Sequence, residues 1–343
     1  MNIKAFLNTL STSCRTLPIV ILYVTEGCNL RCYMCSYREP LPNELSLSEI
    51  ESLAQTLVDA GLQHIVYSGG EPLSRRDLPD ICRIFSNYDV KQTLLTNGLL
   101  LEKRLAEIQP YVSEIIVSLD GANEQTHNKI RGVESFVQIL KGIRRVTESH
   151  NYCHVSIRTV LQKENFRQVL EMVELAKALH VDRISFLSAD VLSNGFGRDT
   201  RGSVAPNDHI TLTEEETKEF RSLIEQMVSK YENEFTKGFI SDPPGRMFHI
   251  VQYYEALLGK APFPRNHCNA PMVSAAITAT GEIQPCFFLP AFGNVRNNML
   301  NELLNNSQIQ STRSAVKEYT LERCQTCVCT LHINPVQALL DRF

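Results

Sequence analysis

A chain of 343 residues, 43% hydrophobic and 21% charged, has material for a large core; it is longer than one ordinary domain but not longer than a single α/β barrel. Its net charge of -4 argues against a nucleic-acid or acidic-membrane partner, and no apolar run approaches the roughly 18 residues of a membrane span. The opening MNIKAFLNTLSTSC lacks the apolar core and cleavage site of a signal peptide, which leaves at most a short amphipathic surface helix. Cytoplasm is therefore the expected compartment, and the eleven cysteines are expected as thiols or metal ligands rather than disulfides.

After residues 1–17, short β-branched runs alternate with amphipathic stretches of helical length. Strands are predicted at 19–25, 64–69, 91–97, 114–120, 154–161 and 183–189, with helices between them at 46–61, 78–88, 102–112, 135–150 and 165–180. Ser46 and Glu49 have the spacing of a capping box, and Gly61 stops the same helix. Apolar strands separated by single helices predict a parallel sheet with right-handed crossovers. Six such units over 18–190 suit an α/β fold, a partial (β/α)6 TIM-like barrel whose functional loops follow the C-terminal strand ends.

The pattern changes after Asp190. Residues 191–212, rich in Gly, Ser, Asn and Asp, read as a loop, and 213–235 as a helix capped by Thr213 and Glu216. A Pro-Pro-Gly turn then precedes an amphipathic helix at 247–260. The whole of 191–262 is expected to be an insertion or linker; its aromatics Phe196, Phe248, Tyr253, Tyr254 and Phe263 either roof a small-molecule site or pack a core. The remaining 263–343 form a cysteine-bearing tail in which 273–288 reads as a hairpin turning at 280–282.

Three cysteines, Cys28, Cys32 and Cys35, follow the first strand in 25-TEGCNLRCYMC-35, spaced C-x3-C-x2-C. Thiolates serve both zinc and iron–sulfur clusters. A structural zinc site closes with a fourth protein ligand, which the following loop does not offer. A [4Fe-4S] cluster on three cysteines leaves one iron open to a ligand that is not protein. The second group is Cys268 and Cys286, brought together by the hairpin, with the pair Cys324 and Cys327 and a surplus Cys329. Four thiolates there close around another [4Fe-4S] cluster or a structural zinc. Cys14, Cys82 and Cys153 stand alone and read as small buried hydrophobes.

The later strand ends carry 68-SGGEP-72, 96-TNG-98 and 118-SLDG-121. Gly69 and Gly70 let backbone approach a ligand closely, and Glu71 can accept from an ammonium. Ser118 and Asp120 project on one face, and Arg131 in 130-IRG-132 offers a cation to a carboxylate. Together with the first motif, residues 18–190 resemble the radical S-adenosylmethionine (radical SAM) superfamily.

The resemblance implies a [4Fe-4S] cluster on Cys28, Cys32 and Cys35 that binds S-adenosylmethionine (SAM) through its open iron. It implies reductive cleavage to a 5'-deoxyadenosyl radical, hydrogen abstraction from a substrate, and a reductase, flavodoxin or ferredoxin as electron donor. The implied SAM contacts are Gly69, Gly70 and Glu71 at the amino group, Thr96 and Asn97 on the pocket wall, and Ser118 and Asp120 at the ribose or carboxylate. Arg131 is implied at the carboxylate and Asn165 at ribose or adenine, with a helix cap as the other reading of Asn165. The family's usual aromatic residue before the third cysteine is replaced by Met34, a soft apolar group that can lie against adenine.

The tail is similar to the SPASM/twitch extension of one branch of the family. That likeness implies one auxiliary [4Fe-4S] cluster on Cys268, Cys286, Cys324 and Cys327, with Cys329 as the alternative to Cys327. The further C-x5-C-x3-C run of the two-cluster form is missing. The expected function is therefore a radical SAM enzyme acting on a biosynthetic small molecule (tetrapyrrole, lipid-like or sugar-derived), and Asp190 is its acid–base candidate by position alone. The short segment before the first strand, with no room for a leader-gripping domain, tilts the choice away from a peptide-modifying maturase, the second reading. A non-catalytic iron–sulfur or zinc protein is the third.

Overall fold

The computed structural model of the chain describes residues 3–149, 153–198, 209–329 and 331–333; the predicted loop at 191–212 thus falls partly outside the described residues. All six predicted strands form: β1 (Ile19–Thr25), β2 (His64–Gly69), β3 (Lys91–Thr96), β4 (Glu114–Ser118), β5 (His154–Leu161) and β6 (Arg183–Ser188). They pair in parallel in the order β6-β5-β4-β3-β2-β1, an open rather than closed barrel sheet. The sheet continues past β1. Strand β7 (Ser274–Ile277) pairs with it in parallel, and β8 (Glu282–Gln284) and β9 (Gly293–Asn294) follow antiparallel, giving nine strands. The predicted hairpin is β7–β8, turned by Gly281 at φ 86°, a backbone conformation that favours glycine.

Local chemistry explains most helix limits. Helix Leu47–Asp59 has the full capping box of Ser46 and Glu49, and Glu214–Lys230 has the same device from Thr213 and Glu216. The tail beyond the hairpin adds an unpredicted helix, Ser307–Glu318, and two further differences have a local cause. Helix Glu124–Arg131 was not predicted, because its sequence EQTHNKIR is polar almost throughout and hides the apolar period; the Asn123 side chain caps it and Gly132 at φ 70° ends it. The expected Pro-Pro-Gly turn is instead a helix start: Pro244 opens Pro244–Leu257, where a missing N–H costs nothing.

Alternate strand residues divide two faces. Val20, Leu22, Val24, Ile65, Tyr67, Leu94, Ile115, Val117 and Ile157 pack against the helices in one large core. A fully buried aliphatic side chain contributes about 2 kcal/mol, so this side holds the barrel together. On the other, concave face of β1, Ile19 and Ile21 pack in a smaller cluster with Met272, Val273, Cys286 and Cys324. Tyr253 and Tyr254 are core residues whose hydroxyls accept the N–H groups of Val191 and Ala189, clamping the chain as it leaves β6. Phe248 and Phe263 also pack against this core, and only Phe196 of the five aromatics turns elsewhere. Cys14 and Cys82 are buried as expected, while Cys153 is half-buried. No helix among the described residues is long and apolar enough to cross a membrane.

His64 opens β2 with Nε2 2.8 Å from Thr93 Oγ1, and burial followed by the charge of Lys91 pushes its pKa down from 6.5 to about 4. The folded state therefore binds fewer protons than the unfolded one in this window. The contribution is complete above pH 6.5 and is lost as pH falls toward 4. In urea titrations at pH 6.5 and 5.5, His64→Gln is expected to lose about 1 kcal/mol less than the parent between the two pH values. Equal losses would show that His64 is protonated in both states alike.

Candidate active site at the strand ends

The cysteine loop leaves β1 and is fixed by backbone before any ligand is considered. Cys28 N–H donates to the Arg38 carbonyl at 2.9 Å, and Cys35 N–H to the Cys32 carbonyl at 3.3 Å. Glu44 Oε1 gathers the Thr25 hydroxyl and the N–H groups of Glu26 and Leu41. The glycine pair after β2 lies directly on this loop. Gly70 N–H donates to the Thr25 carbonyl and Glu71 N–H to the Gly27 carbonyl, both at 2.8 Å. A Cβ on Gly69 would stand 2.2 Å from the Thr25 oxygen, and one on Gly70 would stand 2.3 Å from the Gly27 oxygen. Gly-Gly is thus demanded by the backbone that carries Cys28.

Glu71 is fully buried and turned inward. Oε1 accepts from the Thr96 hydroxyl (2.7 Å) and Leu73 N–H (2.9 Å), and Oε2 from Asn97 N–H (2.7 Å). Burial pushes its pKa up while these three donors oppose the shift. The carboxylate so locks the end of β2 to the end of β3. Asn97, held in this way, sets Nδ2 2.8 Å from Asn29 Oδ1 and 3.8 Å from Cys28 Sγ.

The ends of β4 and β5 form a second polar knot. Asp120 Oδ1 accepts Val160 N–H at 2.8 Å, and Oδ2 pairs with Arg131 Nη2 at 2.5 Å. Arg131 Nη1 lies 3.9 Å from Cys32 Sγ, and its buried Nε has no hydrogen-bond partner among the described residues. That leftover donor, on a cation beside the cysteine loop, suits the carboxylate of a ligand. Asn165 is fully buried: Nδ2 donates to the carbonyls of Asp120 and Val160 at 2.9 Å, Oδ1 accepts from Gln162 N–H, and it makes no side-chain cap. Ser118 stays partly exposed, in register with Arg158 of β5. Met34 is steadied by Gln162, whose Nε2 lies 3.4 Å from Sδ and whose Oε1 accepts the Tyr33 hydroxyl at 2.6 Å. Gln162 carries no signal in the sequence, because its partners lie some 130 residues away.

The later cysteines meet around one cavity. Cys268, Cys286, Cys324, Cys327 and Cys329 line a space of about 180 Å³, together with Arg323. Burial pushes the thiols of Cys286 up to about 12 and Cys268 up to about 11, so free thiolates are disfavoured there. Arg323 presents two buried donors, Nε and Nη1, that have no partner among the described residues. Sulfur-rich walls and leftover cationic donors suit an anionic iron–sulfur core. Among the described residues, no three His, Cys, Asp or Glu side chains converge as ligands of a single metal ion.

Between the two cysteine sets runs an aromatic wall. Phe196, at φ 61°, accepts Ser36 N–H on its carbonyl at 2.9 Å, next to Cys35. Its ring meets Phe287 at 5.6 Å and Phe288 at 6.2 Å, the residues that follow Cys286, and Phe287 meets Tyr23 at 5.2 Å. The Tyr23 hydroxyl is buried and without a partner among the described residues. Asp190, after β6, has both oxygens engaged: Oδ1 with Arg323 at 2.8 Å, and Oδ2 with Arg198 at 2.7 Å and the Ser193 hydroxyl. Proton transfer by Asp190 would require opening one of these ion pairs.

Residues 22–194 match the radical SAM superfamily, and residues 268–328 match SPASM, an iron-sulfur cluster-binding domain. The chain is 30% identical over 228 residues to the Fe-coproporphyrin III synthase of Methanosarcina barkeri, covering 65% of this chain and 53% of that protein. It is 26% identical over 323 residues to the antilisterial bacteriocin subtilosin biosynthesis protein AlbA of Bacillus subtilis, covering 89% of this chain and 63% of that one. The chain thus spans less than two thirds of either relative. In fold it resembles anSMEcpe solved with bound AdoMet and a peptide, with TM-score 0.65 and 17% identity over 90% of this chain and 88% of that one. The family brings a SAM-binding [4Fe-4S] cluster and SAM, and the SPASM domain brings auxiliary iron–sulfur binding. With its strand-end motifs, its two cysteine sets and both matched spans in agreement, the chain belongs to the radical SAM superfamily, as an enzyme with a C-terminal SPASM domain.

Proposed function

We propose that this enzyme functionalises a C–H bond of a carboxylate-bearing biosynthetic small molecule, with a tetrapyrrole as the first candidate. In this reading Cys28, Cys32 and Cys35 hold the SAM-binding cluster, and Cys268, Cys286, Cys324 and Cys327 hold one auxiliary [4Fe-4S] cluster. Arg158 is the observation that carries the substrate class. It belongs to the concave-facing set of β5, between Ser118 and Ser185 in register, and its Nε reaches Ser185 Oγ at 3.3 Å. No carboxylate among the described residues lies within ion-pair distance of it; its charge is felt at Asp242 and at Cys329 in the auxiliary cavity. A partly buried cation with no carboxylate in direct contact favours an anionic ligand. The similarity to Fe-coproporphyrin III synthase points the same way, since coproporphyrin carries carboxylate side chains.

A cluster held by Cys28, Cys32 and Cys35, with SAM bound beside it, would supply the radical chemistry for hydrogen abstraction from the substrate. The chain's own residues prepare that event. Arg131 offers its free Nε to the SAM carboxylate, Gln162 keeps Met34 and Tyr33 against the adenine side, and Ser118 remains open to a hydroxyl. Phe196, Phe287 and Phe288 place a wall of aromatic rings between the two cysteine sets. A peptide-modifying role is the second reading, favoured by the likeness to AlbA over most of this chain.

Anaerobic reconstitution is expected to give about eight iron per chain and dithionite-dependent 5'-deoxyadenosine. Cys28→Ala should abolish that product; Cys268→Ala should lose about half the iron and keep some SAM cleavage. Zinc in place of iron, or no cleavage after reduction, would sink this reading. For the substrate, a carboxylated tetrapyrrole deuterated on its side chains should pass deuterium into 5'-deoxyadenosine. Arg158→Gln should raise the KM for that substrate by about 10- to 100-fold, the loss of one charge-assisted contact. Deuterium transfer from a peptide and none from the tetrapyrrole would decide for the second reading.

A further inference from the structure

Asp190 and Arg323 form a feature that SAM binding does not use. The Asp190 carboxylate is 1% exposed and bridges two guanidinium groups, Arg198 on its own loop and Arg323 in the SPASM segment. Arg198 also donates to the Asp190 and Gly195 carbonyls at 2.8 Å and lies 5.4 Å from the Phe196 ring centre, so the pair ties down the loop that backs Cys35. Arg323 precedes Cys324, stacks 4.7 Å from the Phe288 ring centre and lines the cavity of the five cysteines. Asp190 satisfies one of its nitrogens, while Nε and Nη1 remain buried without partners among the described residues.

We propose that Arg323 sets the reduction potential of the auxiliary cluster and that Asp190 opposes it. One-electron reduction adds one negative charge to a cluster already anionic with its four thiolates. A cation with two free donors at the cavity wall stabilises the reduced form and raises the potential, as hydrogen bonds to cluster sulfurs do. Asp190, on the far side of the same guanidinium, cancels part of that field and lowers the potential. Because Asp190 also pins the Phe196 loop, one carboxylate links the charge at the auxiliary site to the wall behind the SAM-binding cysteines. This rests on the reading that Cys268, Cys286, Cys324 and Cys327 hold that cluster, and is independent of the substrate.

The test is an EPR-monitored redox titration of the full chain carrying Cys28→Ala, Cys32→Ala and Cys35→Ala, so that the auxiliary signal stands alone. Arg323→Gln is expected to shift the midpoint to more negative values, Asp190→Asn to more positive values, and Arg323→Lys to fall between Arg323→Gln and the parent. An unchanged midpoint in Arg323→Gln with iron retained overturns the proposal, as do shifts of the same sign in Arg323→Gln and Asp190→Asn. Loss of the cluster from both Arg323 variants also overturns it, since the residue would then act only in assembly. A triple-cysteine parent that holds no iron overturns the cluster assignment itself, a result distinct from an unshifted midpoint.

Discussion

Strand β1 is hydrogen-bonded along both edges, to β2 on one side and to β7 on the other, and the rest of the structure depends on that double pairing. Its register with β2 fixes where the cysteine loop begins, since Thr25 lies opposite Gly69. Its register with β7, from Ile19–Ser274 to Leu22–Ile277, fixes where the hairpin carries Cys286. The two faces of the same strand go to different cores. Val20, Leu22 and Val24 face the helices, and Ile19 and Ile21 face Cys286 and Cys324. The radical SAM and SPASM regions are therefore one sheet, with the two cysteine sets placed from a common strand.

The strand-end motifs acquire a physical meaning from this arrangement. Gly69 and Gly70 are glycines because the backbone of Thr25–Gly27 leaves no room for a Cβ. Glu71 and Asn165 are fully buried, and each spends its side chain on strand ends rather than facing outward. A buried carboxylate or amide is costly unless its polar atoms are partnered, and here the partners are the Thr96 hydroxyl and backbone groups around the strand ends. These residues hold the strand ends in place, while the Nε of Arg131 has no partner among the described residues and Ser118 stays partly exposed.

Much of this was legible from sequence because it is local. The capping boxes of Ser46 and Thr213, the six strand runs and the turn at Gly281 depend on neighbours within a few residues. The cysteine spacings were readable for the same reason. Helix Glu124–Arg131 was not, since its stability comes from Asn123, Gly132 and burial of Thr126, His127 and Ile130 rather than from a periodic apolar stripe. Nor were the contacts that close the site. Gln162 with Met34, Arg131 with Cys32, and Asp190 with Arg323 join residues about 100 or more positions apart, and single polar side chains give no periodic signal.

Asp190 shows how position and chemistry part company. It follows β6 at the barrel mouth, where a free carboxylate would be an acid–base candidate. Two arginines and a serine hydroxyl surround it instead, and a buried carboxylate so enclosed gives up its mobility. Its value to the molecule is then electrostatic. The carboxylate pairs at once with Arg198, behind the loop of Cys28, Cys32 and Cys35, and with Arg323, beside the later cysteines, and neither cation has another carboxylate partner among the described residues. Removing the carboxylate would leave both guanidinium groups without a carboxylate partner among the described residues, one over the Phe196 ring and the other over the Phe288 ring. The loop at 190–198 is thus tied by ion pairs to the segment that carries Cys324, a tie between the two cysteine-bearing regions that the sheet pairing does not supply.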